Sequence, residues 1–136
     1  MKESQITILL VEDNLGDVHL INELIHDTGA LENIKVEQAF RLSTGIQRLG
    51  KGGIDLVLLD LGLPDSMGLD TLKKILPETK GTPVVVLTGL EDEEIGIRAV
   101  QAGAQDYLVK YQLDPVLFMR SIRFAIERKR VNEIKM

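Results

Sequence analysis

Short apolar runs alternate along the chain with stretches in which apolar residues recur at helical spacing. The apolar runs predict β-strands at residues 7–11, 36–40, 56–59, 84–87 and 106–109. The helical spacing predicts α-helices at residues 16–27, 43–49, 69–76 and 91–102, and a last helix from residue 115 onward. This alternation predicts an α/β fold in which helices cover both faces of a parallel sheet.

Particular residues support the helix boundaries and the faces that are turned to the core. Gly29 is expected to stop the first helix, and Pro77 to end the third, because proline interrupts the helical hydrogen-bond ladder. Pro115 suits the first turn of the last helix. The predicted inward stripes consist of Val18, Ile21, Leu24 and Ile25 on the first helix and Phe118, Ile122, Ala125 and Ile126 on the last.

Five polar residues stand where four of the predicted strands end. Glu12 and Asp13 follow the first strand, Asp60 the third, Thr88 the fourth and Lys110 the fifth. Consecutive strands of a parallel sheet point the same way, so their carboxyl ends meet at one rim, which is where open α/β proteins bind ligands. The sequence therefore predicts that these scattered residues form one site.

The chemistry of this predicted site follows from its residue types. Its three carboxylates and one ammonium sum to a charge of −2, which a divalent cation would balance. The chain has no cysteine, and neither His19 nor His26 lies near a strand end, so the available ligands are oxygens, which indicates Mg²⁺. A carboxylate can attack a phosphoryl group, and Lys110 and Thr88 would then contact the phosphoryl oxygens. Together the residues predict phosphoryl transfer to aspartate.

Size and charge narrow the range of functions. A length of 136 residues suits one domain, divided here into a polar tail (1–5), the domain (6–128) and the polar end of the last helix (129–136). Residues 120–136 carry six Lys or Arg against two Glu, although the whole chain has a net charge of −5. The residues before this segment are therefore acidic overall, which argues against direct nucleic-acid binding. No run is long enough for a membrane span and no signal peptide is recognisable, so we expect a soluble, cytoplasmic protein.

Four segments, LLVEDN, LLDLGLPDSMGLD, VVVLTG and AGAQDYLVK, together resemble the response-regulator receiver domain of two-component signalling. The resemblance runs from Ile6 to about Arg128. It implies a flavodoxin-like doubly wound (βα)5 sandwich with its five parallel strands in the order 2-1-3-4-5. It also implies a histidine kinase or a histidine-containing phosphotransfer protein as phosphodonor, and a downstream protein target that the sequence does not identify.

The same resemblance implies a role for each residue at the rim. Asp60 would be the phosphoacceptor, and Thr88 and Lys110 would contact the phosphoryl group. Mg²⁺ would be bound by Asp60, Asp13 and the backbone carbonyl of Gly62, with Glu12 assisting through water. Tyr107 matches the switch aromatic of the fifth strand, which is expected to turn inward when Thr88 moves toward the phosphate.

The chain departs from the family pattern at three positions. Tyr111 follows the lysine where the family commonly has a proline, so the position of Lys110 is not settled by the resemblance. Two positions that influence how water attacks the acyl phosphate are occupied by Gly62 and Leu90. Because neither side chain can align a water through a polar group, we expect slow self-dephosphorylation.

Other classes of function stay open at this point. A haloacid-dehalogenase-like phosphatase also uses an aspartate nucleophile with Mg²⁺, but that family has an acid where this chain has Gly62. A phosphorylation-independent interaction module is a second alternative, and a nucleotide-binding protein a third, although neither glycine-rich phosphate-binding motif is present. Leu117, Phe124 and Val131 recur every seven residues, the spacing of a homodimer seam on the last helix. The chain can also be a fragment of a longer protein.

Overall fold

The computed structural model describes residues 5–27 and 33–135, with side chains up to residue 129. The strands are β1 (Ile6–Val11), β2 (Ile34–Ala39), β3 (Leu56–Asp60), β4 (Gly62–Leu63), β5 (Ser66–Met67), β6 (Val84–Thr88) and β7 (Asp106–Val109). The helices are α1 (Leu15–Asp27), α2 (Leu42–Leu49), α3 (Leu69–Thr79), α4 (Glu93–Gln101) and α5 (Pro115–Lys135), and a 3-10 turn spans Lys110–Gln112.

Five strands form one parallel sheet in the order β2-β1-β3-β6-β7. The short strands β4 and β5 pair only with each other, as an antiparallel hairpin. Counting the strands of the main sheet alone, this is the predicted order 2-1-3-4-5, and the α/β prediction is confirmed. The register aligns the strand ends, since Val11 pairs with Leu59, Asp60 with Leu87 and Thr88 with Val109.

The core lies in two layers, one on each face of the sheet. Alternate residues of the central strands, such as Ile8 and Leu10 of β1, pack against α1 and α5. Their neighbours Leu9 and Val11 pack on the other face with apolar residues of α2, α3 and α4. Because successive side chains of a strand point to opposite faces, a strand buried on both sides needs a continuous apolar run. The predicted inward stripes of the first and last helices are buried as expected.

Several predicted boundaries were wrong. Helix α3 continues through Pro77 to Thr79, although proline removes one backbone donor from the helical hydrogen-bond ladder. The Thr79 hydroxyl donates to the Leu76 carbonyl at 2.8 Å in the last turn. Lys80 then ends the helix in the left-handed conformation, with φ of 50°. Strand β2 covers Ile34–Ala39, so Phe40 follows it, 47% exposed. The predicted stop at Gly29 lies outside the described residues.

Candidate functional site

An acidic cluster occupies the rim where β1 and β3 end. Glu12, Asp13 and Asp60 each offer a carboxylate oxygen, and these oxygens lie within 4.8 Å of one another. Glu12 is buried, and its backbone N–H donates to the carbonyl of Ala39 at 3.0 Å, which continues the sheet beyond β1. Asp13 is exposed to solvent. The structure thus brings together the three acids that the sequence predicted as one site.

Lys110 places its ammonium among these acids. Its Nζ lies 3.1 Å from Oε1 of Glu12 and 3.3 Å from Oδ1 of Asp60. The described residues contain no cis peptide bond, and the 3-10 turn that begins at Lys110 directs the side chain into the site. The lysine therefore reaches the acids although Tyr111 follows it in place of proline.

Asp17, in the first turn of α1, is a member of this cluster that the sequence analysis missed. Its Oδ2 accepts the shortest of the three hydrogen bonds from Lys110 Nζ, at 2.7 Å, and its Oδ1 accepts a hydrogen bond from the Tyr111 hydroxyl. A signal was present, since helical side chains point back toward the N-terminus and Asp17 lies one turn after Asp13. With Asp17 included, the four carboxylates and one ammonium carry a net charge of −3.

Burial and crowding control the ionisation of the cluster. Burial, together with the nearby charge of Asp60, raises the pKa of Glu12 to about 7. Burial also raises the pKa of Asp60, although Lys110 opposes the change. Burial disfavours the charged form of Lys110, but the hydrogen bond to Asp17 and the charges of Asp60 and Glu12 outweigh it and raise the pKa of the ammonium. Lys110 is therefore always charged near neutral pH.

A cavity of about 350 Å³ opens beside this cluster. Its lining includes Asp60, Gly62, Thr88, Gly89 and Lys110. The Thr88 hydroxyl is buried and donates to the carbonyl of Leu108 at 3.4 Å, a long hydrogen bond. The cavity thus joins three residues of the predicted phosphoryl site in a space open to a small ligand.

Hydrogen bonds fix the loop after Asp60 at its start, to Asp60 itself, and at its tip, to the first residues of α2. The backbone N–H of Gly62 donates to Oδ2 of Asp60 at 3.3 Å, within the β4–β5 hairpin. Asp65, at the tip of that hairpin, accepts hydrogen bonds from the backbone N–H groups of Leu42 and Ser43 at 2.8 and 3.0 Å. It thereby caps α2, whose own N-cap residue provides no side-chain hydrogen bond. These bonds lower the pKa of Asp65.

Tyr107 lies apart from the acidic cluster, on the side of β7 that faces α4. Its hydroxyl donates to Oε1 of Glu93 at 3.0 Å. Its ring lies against Gly96, where a Cβ would come within 2.4 Å of the ring atom Cδ2. A glycine at this place in α4 therefore makes room for the aromatic ring.

A doubly wound sheet with acids, a lysine and a threonine at one rim defines an α/β protein with a ligand site at the carboxyl ends of its strands. A comparison with known families identifies which one: the family model described as "Response regulator receiver domain" matches residues 8–122. The chain belongs to this family of two-component signalling domains. The match favours the receiver-domain prediction over the phosphatase, the nucleotide-binding protein and the phosphorylation-independent module.

Relatives of this chain carry different further functions. It is 35% identical over 105 residues to the transcriptional regulatory protein CiaR of Streptococcus pneumoniae, covering 77% of this chain and 45% of CiaR. It is 31% identical over 136 aligned residues to a protein of Vibrio cholerae named "Probable cyclic di-GMP phosphodiesterase", covering 96% of this chain and 29% of that protein. The chain thus spans less than half the length of these two curated relatives.

Solved structures agree with this fold. A response regulator receiver domain from Clostridium thermocellum matches with a TM-score of 0.78 and 27% identity, covering 93% of this chain and 98% of that one. A CheY-like receiver domain from Methanospirillum hungatei matches with a TM-score of 0.79 and 23% identity, covering 95% and 99% of the two chains, which shows the fold alone. Among the described residues, no helix is both long and apolar enough to span a membrane.

Proposed function

We propose that this receiver domain accepts a phosphoryl group on Asp60 in a Mg²⁺-dependent reaction and that the modification switches a protein-interaction surface. The observation that carries the proposal is the position of the Asp60 carboxylate. It belongs to the acid cluster, accepts a hydrogen bond from the Lys110 ammonium and lines a cavity that Thr88 also lines. The nucleophile, a cation site and two groups that bind phosphoryl oxygens are thus in one place.

The acid cluster fits Mg²⁺ in charge and in donor type. Glu12, Asp13 and Asp60 all offer carboxylate oxygens. Together with Asp17, these carboxylates exceed the single ammonium of Lys110 by three charges. Asp13 and Asp60 would bind the ion with the backbone carbonyl of Gly62, and Glu12 would assist through water. When bound, the ion supplies positive charge that keeps these carboxylates ionised and neutralises charge on the phosphoryl oxygens.

The chemical step is a displacement at phosphorus. A carboxylate oxygen of Asp60 forms the new P–O bond, and the bond between phosphorus and the donor nitrogen breaks, with its electron pair leaving on that nitrogen. Lys110 and the Thr88 hydroxyl would then bond to phosphoryl oxygens. A histidine kinase or a histidine-containing phosphotransfer protein fits as donor, because its phosphoimidazole has a nitrogen leaving group. The domain assists its own modification and turns over no separate substrate.

The proposed output is a surface formed by α4, β7 and α5. When Thr88 bonds to the phosphoryl group it leaves the Leu108 carbonyl, which frees space beside β7 for Tyr107 to turn inward. Exposed apolar side chains already lie on the two helices, namely Ile97, Val100, Leu117 and Phe124. Leu117 and Phe124 belong to the predicted seven-residue repeat, whose third member, Val131, lies outside the described side chains. We keep a homodimer through α5 as part of this proposal. A small free-energy difference between two arrangements suffices for such a switch.

Locating the modified residue tests the proposal. We expect phosphoramidate and Mg²⁺ to place a phosphoryl group on Asp60, which peptide mapping by mass spectrometry would show. Asp60→Asn should remove the modification, whereas the matched control Asp70→Asn, an exposed acid of α3, should keep it. Modification of another residue, or continuous turnover of a phosphate ester, would contradict the proposal.

A further inference from the structure

The ammonium of Lys110 makes three hydrogen bonds, one for each of its N–H groups. Its acceptors are Asp17, Glu12 and Asp60, at 2.7, 3.1 and 3.3 Å. The lysine side chain is only 10% exposed. To bind a phosphoryl oxygen, Lys110 must therefore give up at least one of these carboxylates.

The three acceptors are not equivalent. Glu12 and Asp60 belong to the acid cluster that fits a metal ion, and Asp60 is also the proposed phosphoacceptor. Asp17 is not a member of that metal-binding set, and its side chain is 7% exposed. Its carboxylate is therefore the acceptor that Lys110 retains when the other two acids take new partners.

Tyr111 fixes the orientation of Asp17. The Tyr111 hydroxyl donates to Oδ1, which leaves Oδ2 facing the lysine. Tyr111 and Lys110 are neighbours in one 3-10 turn, so that turn holds the Asp17 carboxylate from two sides. On the helix side, Oδ1 of Asn14 accepts from the Asp17 backbone N–H at 3.0 Å and fixes the start of α1.

We propose that Asp17, oriented by Tyr111, positions the Lys110 ammonium beside Asp60 for phosphoryl transfer. This inference rests on the proposed function of Asp60. Asp17 and Tyr111 are positioning residues, since both act through the lysine. Tyr111 follows the lysine, at the position where the family pattern commonly has a proline. Through its hydrogen bond to Asp17 this residue helps to hold the Lys110 ammonium in place.

The test is the rate of phosphorylation by phosphoramidate with Mg²⁺, measured over a range of donor concentrations. The limiting rate at saturating donor reports the position of the lysine, and the half-saturating concentration reports donor binding. Tyr111→Phe keeps the exposed ring and loses one hydroxyl, so we expect the limiting rate to fall about threefold. Asp17→Ala should lower it roughly tenfold, because the ammonium is displaced. The double variant should match Asp17→Ala, because Tyr111 acts only through Asp17.

Asp55→Ala is the matched control. The Asp55 carboxylate accepts a hydrogen bond from the Thr7 backbone at 2.8 Å, near the start of β1 and therefore at the opposite end of the sheet from the rim. Its removal should leave both kinetic constants unchanged. A similar loss of rate in this control would show a general effect of destabilisation and overturn the inference.

The remaining outcomes separate the inference from the proposed function. Wild-type rates in both Tyr111→Phe and Asp17→Ala, or additive losses in the double variant, would overturn the inference and leave Asp60 as phosphoacceptor. If Asp17→Ala fails to fold, a wild-type limiting rate in Tyr111→Phe is enough to overturn it. A wild-type chain that never carries phosphate on Asp60 would instead overturn the proposed function.

Discussion

At the scale of single residues, burial decides how the acids of the rim behave in the absence of a metal. Glu12 and Asp60 share a small volume, and burial is the largest cause of the raised pKa of each carboxyl group. With a pKa of about 7, Glu12 is partly protonated under ordinary conditions. A cation that binds here must first compete with a proton.

Mg²⁺ should therefore stabilise the protein more at alkaline pH. A pKa raised to about 7, from an ordinary value of 4.5, stabilises the metal-free fold below about pH 4.5, and this contribution is lost as the pH rises through about 7. Mg²⁺ binding requires the ionised carboxylates, so we expect a larger rise in melting temperature on adding Mg²⁺ at about pH 8 than at about pH 6.

Glu12→Gln tests the cause of this pH dependence. In the metal-free protein, the free energy of unfolding should fall less between about pH 5 and pH 7 in this variant than in the wild type. The control Glu78→Gln, which changes an exposed acid of α3, should behave like the wild type. An equal effect of Mg²⁺ at both pH values would show that protons and the metal do not compete at this rim.

The lifetime of the acyl phosphate is a second property of single residues. Gly62 carries no side chain, and Leu90 is 56% exposed and apolar, so neither aligns a water molecule for attack. Leu90→Gln adds an amide at the rim, and we expect phosphate to be lost several-fold faster, roughly in line with the effect of one positioned polar group. Radiolabel or intact-mass time courses measure the loss.

Leu90→Ala is the control for this prediction, because it shortens the side chain without adding a polar group. Its phosphate should persist as long as that of the wild type. An unchanged lifetime in Leu90→Gln would contradict the role given to this position, and rapid loss from both the wild type and Leu90→Ala would contradict the expectation of slow self-dephosphorylation.

At the scale of elements, the contact between α4 and β7 depends on one glycine. The Tyr107 ring occupies the place that a Cβ on Gly96 would need. Gly96→Ala should lift the ring from α4 and weaken the hydrogen bond to Glu93, at a cost of about 1–3 kcal/mol of unfolding free energy, the usual range for overpacking. Chemical denaturation measures this cost.

The same substitution made in the Tyr107→Ala variant tests whether the ring causes the loss of unfolding free energy. In Tyr107→Ala the space is empty, so Gly96→Ala should be neutral or stabilising, since alanine favours a helix over glycine. Gly50→Ala offers a matched control, because its backbone is right-handed and an added Cβ meets only two backbone carbonyl oxygens, at 3.4 and 3.9 Å. If Gly96→Ala costs as much without the ring, the ring is not what the glycine accommodates.

The helices and strands of this fold were predictable where the apolar pattern extends over several residues. The strands of the main sheet and the buried stripes of α1 and α5 follow from runs of apolar residues. The β4–β5 hairpin was missed, since two-residue strands have no period. Pro77 misled the prediction because α3 continues two residues past it despite the backbone donor that proline removes.

The site was predictable for a related reason. Residues that close parallel strands must converge, so Glu12, Asp13, Asp60 and Lys110 were found from their positions alone. Asp17 was missed although it lies one turn after Asp13, because this spacing does not show whether an acid in the first turn of a helix faces solvent or a buried lysine. Only the fold distinguishes the two.

At the scale of the whole molecule, the parallel sheet concentrates charge at one end. Its register brings the ends of β1, β3, β6 and β7 to a single rim, where the ammonium of Lys110 contacts three acids, Glu12, Asp17 and Asp60. The relatives CiaR and the Vibrio cholerae protein extend well beyond the matched region. On the proposed function, a phosphoryl group on Asp60 changes the charge of this rim, and the surface formed by α4, β7 and α5 transmits the change.

The most direct test of this account is an intact-mass time course of the chain with phosphoramidate, in the presence of Mg²⁺ and, separately, of a chelator. We predict one phosphoryl group per chain with Mg²⁺, almost none with the chelator, and none in Asp60→Asn under either condition. Equal modification with and without Mg²⁺, or modification of Asp60→Asn, would contradict the claim that the rim acids bind a metal to phosphorylate Asp60.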